Sequence, residues 1–255
     1  MARPRLAVWK FASCDGCQLT LLDCEDALLE IADRIDIVHF LEATSRIEEG
    51  PYDISLVEGS ITTAEDAERI RRIRDRSTVL IAIGACATAG GIQALRNFAD
   101  AGDYVGAVYA RPDYIRTLAT SEAIADHVTV DHELRGCPIS RHQLIDLVSG
   151  TLAGRRPRPS TAAQCTECKA RGTACVMGTE GAPCLGPVTQ AGCGNLCPSV
   201  GRPCYGCFGP VAHANTTALA DRFLQAGVDP ARVRDLFRSF NAGAEAFAAE
   251  GDRHG

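Results

Sequence analysis

No basic stripe runs through this 255-residue sequence: 26 lysines and arginines are scattered against 32 acidic residues, for a net charge of −6. A nucleic-acid backbone would find no matching strip of positive charge, which argues against that class of partner. Long apolar spans are missing too. The longest uncharged stretch, Ser77 to Leu95, is interrupted by Gly84, Gly90 and Gly91 among small residues, so it reads as a buried strand and a glycine-rich turn, with no transmembrane segment. The first residues lack the charged, apolar, small-residue order of an export signal and any twin-arginine pair, so the expected location is cytoplasmic. In that reducing compartment thirteen cysteines cannot be a disulfide framework. They are ligands, redox thiols or both. With 46% hydrophobic and 23% charged residues the chain is a folded one, long enough for a larger domain plus an appendage or for two small domains.

The first 150 residues alternate strand-like and helix-like segments, which predicts an α/β domain on a parallel sheet. Strands are expected at Leu6–Phe11, Ile35–Leu41, Asp53–Val57, Thr78–Ile83 and, last, Val128–Val130. Helices are expected from Asp15 to Asp33, from Thr63 to Arg76 with Thr63 as N-cap, and from Ile139 to Leu152. The basic, proline-containing stretch from Gly154 to Ser160 opens a linker running to residue 164. It divides a domain of residues 1–153 from a second of residues 165–255. From Cys165 to Pro210 the chain has almost no periodicity and few large apolar residues, so something inorganic must substitute for a core. Two helices follow, Asn215–Ala226 and Pro230–Phe240, the second capped by Asp229.

Eight cysteines crowd the second domain as Cys165-x2-Cys168-x6-Cys175-x8-Cys184 and Cys193-x3-Cys197-x6-Cys204-x2-Cys207. Eight thiolates fit two four-ligand sites, and all-sulfur coordination admits zinc or an iron–sulfur cluster. Zinc ribbons pair two close Cys-x-x-Cys knuckles, whereas the inner cysteines here are singletons set among glycines and prolines, which favours a larger inorganic body. In the first domain Cys14 and Cys17 follow the first strand, Cys86 the fourth and Cys137 the last, all past the carboxyl ends of parallel strands. Four thiolates converging on one crevice describe a four-iron site. A thioredoxin-like reading of Cys14 and Cys17 leaves Cys86 and Cys137 unexplained. Gly16, Gly84 and Gly136 would let backbone approach an anionic cluster and aim amides at its sulfides. Cys24, placed within the first expected helix, is left over and reads as a small buried apolar residue.

The motifs Cys14-x-Gly-Cys17, Glu58-Gly-Ser60, Gly84-Ala-Cys86-Ala, Gly136-Cys-Pro138, Cys184-Leu-Gly-Pro-Val-Thr189 and Cys204-Tyr-Gly-Cys207 together cover most of the chain. In combination they resemble the small, electron-transferring subunit of nickel–iron hydrogenases, and the N-terminal half is similar to the related subunit of respiratory complex I. The resemblance implies a flavodoxin-like parallel-sheet N-terminal domain plus an irregular, cysteine-rich iron–sulfur domain with C-terminal helices. It implies a proximal cluster on Cys14, Cys17, Cys86 and Cys137. By motif order it also implies a distal one on Cys165, Cys168, Cys175 and Cys184 and a medial one on Cys193, Cys197, Cys204 and Cys207. Uptake-type relatives begin the distal site with histidine and give the medial site three cysteines; here both sites are all-cysteine, so three [4Fe-4S] clusters are expected. No bond-making residue is expected on this chain. The Ni-Fe centre would sit in a large subunit, and a flavin/NAD(P)-binding subunit and a further iron–sulfur subunit would complete a soluble hetero-oligomer, with sulfur compounds as an alternative acceptor. Glu58 reads equally as a carboxylate near the proximal cluster or subunit contact and as an ordinary capping or ion-pair residue. His142 and His213 have no companion at ligand spacing. Two alternatives stay open: a complex I-like quinone-linked subunit, which would lack the eight-cysteine extension, and a zinc-stabilised module without electron transfer.

Overall fold

A computed structural model describes residues 3–25, 33–155 and 160–255. Its first part is a five-stranded, wholly parallel sheet of β1 (Arg5–Lys10), β2 (Asp36–Phe40), β3 (Tyr52–Glu58), β4 (Ser77–Ile83) and β5 (His132–Leu134), in the order β2-β1-β3-β4-β5. A parallel sheet is covered on both faces, so its strands carry continuous apolar runs. Leu6, Val8, Leu56, Ile81 and Ile83 fill one core, and Ala7, Val57, Leu80 and Ala82 face the other. The first core is covered by α1 (Gly16–Leu22) and α5 (Arg141–Leu152), which bury Leu21 and Leu144, Leu147 and Val148. The second is covered by α2 (Ala64–Asp75) through Ala67, Ile70 and Ile73. The Thr63 side chain caps α2 as expected, accepting the Asp66 amide at 3.1 Å. Between β4 and β5 the chain forms α3 (Gly84–Ala89) and α4 (Ala101–Val108).

The last strand is not Val128–Val130. Both valines pack partly buried against the second core without pairing, and the Asp131 carboxylate accepts the Leu80 amide at 2.8 Å where a ladder bond would run. Pairing starts one residue later, Ile81 with His132 and Ile83 with Leu134, so the polar-looking segment is the strand. The first helix is shorter than its pattern. It ends at Leu22, and Cys24 lies beyond it, buried, with its thiol donating to the Thr20 carbonyl at 3.3 Å. The rest of that expected helix, residues 26–32, and linker residues 156–159 lie outside the described residues.

In the second part, α6 (Cys165–Ala170) and α7 (Val176–Thr179) are single turns among loops. Three helices follow, α8 (Thr216–Gln225), α9 (Pro230–Phe237) and α10 (Glu245–Asp252), the last of them not anticipated. Asn215 and Asp229 cap α8 and α9 through the Ala218 and Ala231 amides. Leu219, Phe223, Val233, Phe237 and Phe247 close a core that also takes in Leu185 and Val188 from the cysteine-rich loops. Those loops therefore lean on an organic core at one side. The two parts touch through Arg135, whose guanidinium reaches the Pro210 carbonyl at 3.0 Å, and at Gly136, against which the Phe208 ring packs. Among the described residues no helix is long and apolar enough to cross a membrane.

Candidate functional site

The strand order reverses between β1 and β3, and open α/β sheets place ligands beyond the carboxyl ends of strands at such a point. After β1 the chain turns at Asp15, whose φ of 66° is left-handed, and enters α1 with Cys14 and Cys17 on the crevice side. Glu58, the last residue of β3 and 2% exposed, accepts the Cys17 amide at 3.0 Å and the Gln18 carboxamide at 2.8 Å. Its partners are thus amide donors at the start of α1. Burial pushes its carboxyl up, against the hold of those donors. Cys86 sits on α3 directly after β4, and Cys137 follows β5.

Burial pushes the Cys86 thiol up to about 11, partly offset by Gln93, with Cys137 and Cys14 adding to the rise. Cys17 is raised by burial, then by Glu58, Cys86 and Cys137. Cys14 and Cys17 after β1, Cys86 after β4 and Cys137 after β5 are thus near enough to raise one another. Gly84, at φ 86°, is held to a glycine because a Cβ there would stand 2.5 Å from the Cys17 sulfur. Gly91 stands in the same relation to the Cys86 sulfur, again at 2.5 Å, though no motif in the sequence marks it for that role.

A second group forms around α6. Burial takes the Cys165 thiol to about 11, with Cys184, Cys168 and Cys175 adding to it. Cys184 is raised by burial too, while the Cys204 and Gly186 amides pull it down. The third group lines a cavity of about 170 Å³ shared by Cys193, Cys197, Cys204 and Cys207, with Cys137 of the first group on its wall. Burial lifts Cys207 to about 12, and Cys193, Cys137 and Cys197 contribute in turn.

The groups form a row. Cys137 joins the first to the third through the cavity wall, and the Cys204 amide, donating to the Cys184 sulfur at 3.1 Å, joins the third to the second. Each outer group has one exposed thiol, Cys14 in one and Cys175 in the other, whereas none of the middle group is exposed and Cys17, Cys184 and Cys204 are buried. Cys24 stays apart, a core residue beside Leu21. His213 adopts a left-handed turn and borders a larger cleft away from the thiols, as does Glu122.

This donor set suits inorganic sulfide clusters. Every group is made of thiols, glycines stand where a Cβ would meet sulfur, and buried neutral thiols ionise readily only beside a strong cationic centre. Among the described residues no three His, Cys, Asp or Glu side chains close on a single-ion position. All-sulfur donor sets of this kind admit an iron–sulfur cluster as well as zinc. Three contacts escaped the motif reading: Gln164 and Asn195 at the Cys168 sulfur and Glu167 near Cys193. Nothing in their spacing marks them, because they act from turns that only the fold brings together.

The model of the NADH ubiquinone oxidoreductase 20 Kd subunit family matches residues 14–151, more than half of the chain. The sulfhydrogenase 2 subunit delta of Pyrococcus furiosus is 34% identical over 84% of this chain and 90% of its own length. The chain belongs to this family, and within it to the hydrogenase small subunits. Another relative, a vhu-type subunit of the F420-non-reducing hydrogenase of Methanocaldococcus jannaschii, is 32% identical over 90% of this chain and 86% of its own. Among solved structures, the NAD+-reducing [NiFe]-hydrogenase in the H2-reduced state matches with a TM-score of 0.57 and 28% identity, covering 62% of this chain and 95% of that one. As a hydrogenase small subunit the chain has its α/β first part in the place the family model covers, and its cysteine-rich second part lies beyond that match.

Proposed function

We propose that this small subunit conducts electrons between a nickel–iron large subunit and a flavin/NAD(P)-linked partner through three [4Fe-4S] clusters. Cys14, Cys17, Cys86 and Cys137 hold the proximal one, Cys193, Cys197, Cys204 and Cys207 the medial one, and Cys165, Cys168, Cys175 and Cys184 the distal one. The observation that carries the reading is the succession of thiol groups, joined through Cys137 and through the Cys204–Cys184 contact and exposed only at Cys14 and Cys175. Such clusters supply one-electron redox steps at potentials set by charge, hydrogen bonds and exposure. The chain's own part is to hold the thiolates, exclude water around Cys184 and Cys204, and aim amides at sulfur.

The large subunit docks at the Cys14 end. Ile92, Leu95, Tyr104 and Val108 are exposed in the segment that follows Gly91 and Cys86, apolar side chains of the kind that interfaces cover. The Cys175 end faces the next carrier, a further iron–sulfur subunit or the flavin subunit itself. The NAD+-reducing hydrogenase among the similar structures and the sulfhydrogenase among the relatives support acceptors of those kinds. Free thiols in this number support a reducing, cytoplasmic setting. In the complex, Cys86→Ser abolishes hydrogen-dependent reduction of an external acceptor while hydrogen–deuterium exchange at the large subunit persists in part. Retention of both activities would contradict the assignment.

A further inference from the structure

Cys168 has the most side-chain company of the thiols. Gln164, 1% exposed, sets its carboxamide against the sulfur with Nε2 at 3.5 Å and Oε1 at 3.6 Å, and the fully buried Asn195 sets Oδ1 at 3.1 Å. No other thiol among the described residues meets two side-chain carboxamides. Buried amides must be hydrogen-bonded, so two of them at one sulfur are a committed arrangement. Asn195 adopts a left-handed φ of 66° between Cys193 and Cys197, so the loop bearing two thiols of one group reaches across to the other. It is pinned there by its backbone N–H donating to Glu167 Oε2 at 3.1 Å and by Nδ2 donating to Thr173 Oγ1 at 2.5 Å.

A metal-bound Cys168 is a thiolate and can only accept. Turning the Asn195 amide exchanges its oxygen and nitrogen, so that Nδ2 donates to sulfur while the Thr173 hydroxyl, equally a donor, serves Oδ1. Gln164 Nε2 already faces the sulfur. At Cys193 the sign is reversed, for Glu167 Oε2 lies 3.8 Å from that sulfur. Amide donors favour the more negative, reduced form of a cluster, and a carboxylate disfavours it.

We propose that Gln164, Asn195 and Glu167 are positioning residues that set the two neighbouring clusters apart in reduction potential, raising the distal one through Cys168 and lowering the medial one through Cys193. This inference rests on the three-cluster reading. It makes the step from the medial to the distal group downhill, toward the exposed Cys175.

The test is an EPR-monitored redox titration of the anaerobically purified complex with its large subunit. Asn195→Asp and Gln164→Glu keep shape, remove a donor and add a carboxylate, so Asn195→Gly, which removes the donor alone, is titrated beside them and must shift the same way; Glu167→Gln removes the charge and keeps an acceptor for the Asn195 amide. With iron content unchanged, the first two are expected to move one midpoint to more negative potential, the same signal that Cys168→Ser perturbs. Glu167→Gln is expected to move a different midpoint to more positive potential. Unmoved midpoints in iron-replete variants, or a shift of the same signal by Glu167→Gln as by the others, overturn the inference while leaving the three clusters standing. Where Asn195→Asp loses iron, Asn195→Gly, which accepts the left-handed backbone and deletes the donor, must give the negative shift or the inference falls. Fewer than three iron–sulfur signals in the unmutated complex would overturn the underlying reading and the inference with it.

Discussion

A single methyl group at Gly84 would occupy the space that the Cys17 sulfur now fills, on a backbone whose positive φ already disfavours a side chain. Gly84→Ala therefore displaces one proximal thiol while leaving the other two groups intact, and iron analysis of the purified complex is expected to fall by about four atoms per chain. A fall of all the iron, or none, would place the constraint elsewhere. His39 offers a residue-scale test away from the thiols. It stacks on Trp9 with ring centroids 3.9 Å apart, is 6% exposed, and is held below its ordinary 6.5 by burial and then by the Arg69 charge. As pH falls below about 6.5 the unfolded chain takes the proton first, so the stability His39 contributes is present at higher pH and is lost on acidification toward its folded-state value. Comparing thermal midpoints at neutral and mildly acidic pH, the wild-type protein is expected to lose more than His39→Phe. Equal losses would show the ring to be free to ionise.

At the scale of elements, helices and strands were legible where side chains carry the signal. Thr63 before a charged amphipathic run, and Asp229 before Pro230, each mark a helix start through a cap that satisfies a free amide. The strand His132–Leu134 was not legible, because its pairing is backbone to backbone and the apolar alternation of Val128 and Val130 comes too early in the chain. Helix α10 was missed for a related reason. Phe247 is its single large apolar contact, and beside Gly251 its other buried residue is Glu250, a carboxylate 2% exposed that accepts from the Thr217 hydroxyl at 2.9 Å and faces His254 at 3.0 Å. A buried acid reads in sequence as a surface position. Glu250→Ala is expected to cost about 2 kcal/mol by leaving those partners without their acceptor, seen as a lower denaturation midpoint; an unchanged midpoint would mean that Phe247 alone holds the helix.

At the scale of the whole molecule, the first part uses an ordinary apolar core to position thiols at strand ends, and the second leans its thiol-bearing loops on the smaller core of α8, α9 and α10. The first was readable because parallel strands bring Cys14, Cys17, Cys86 and Cys137 to one edge, a consequence of topology alone. Motif order groups the other eight in sequence only as a proposal, and it gives no sign of their neighbours. Asn195 reaches Cys168 across 27 residues and Gly91 abuts Cys86 through a turn, contacts that depend on loop paths no periodicity records. In the proposed reading that row, exposed at Cys14 and at Cys175, is what lets the chain conduct electrons between two partners. Its central claim is most directly tested by iron, zinc and acid-labile sulfide per chain, measured on anaerobically purified protein co-expressed with its large subunit and corrected for that subunit's iron. About twelve irons and twelve sulfides are expected. About two zincs with little sulfide would contradict the account and make the second part a structural module.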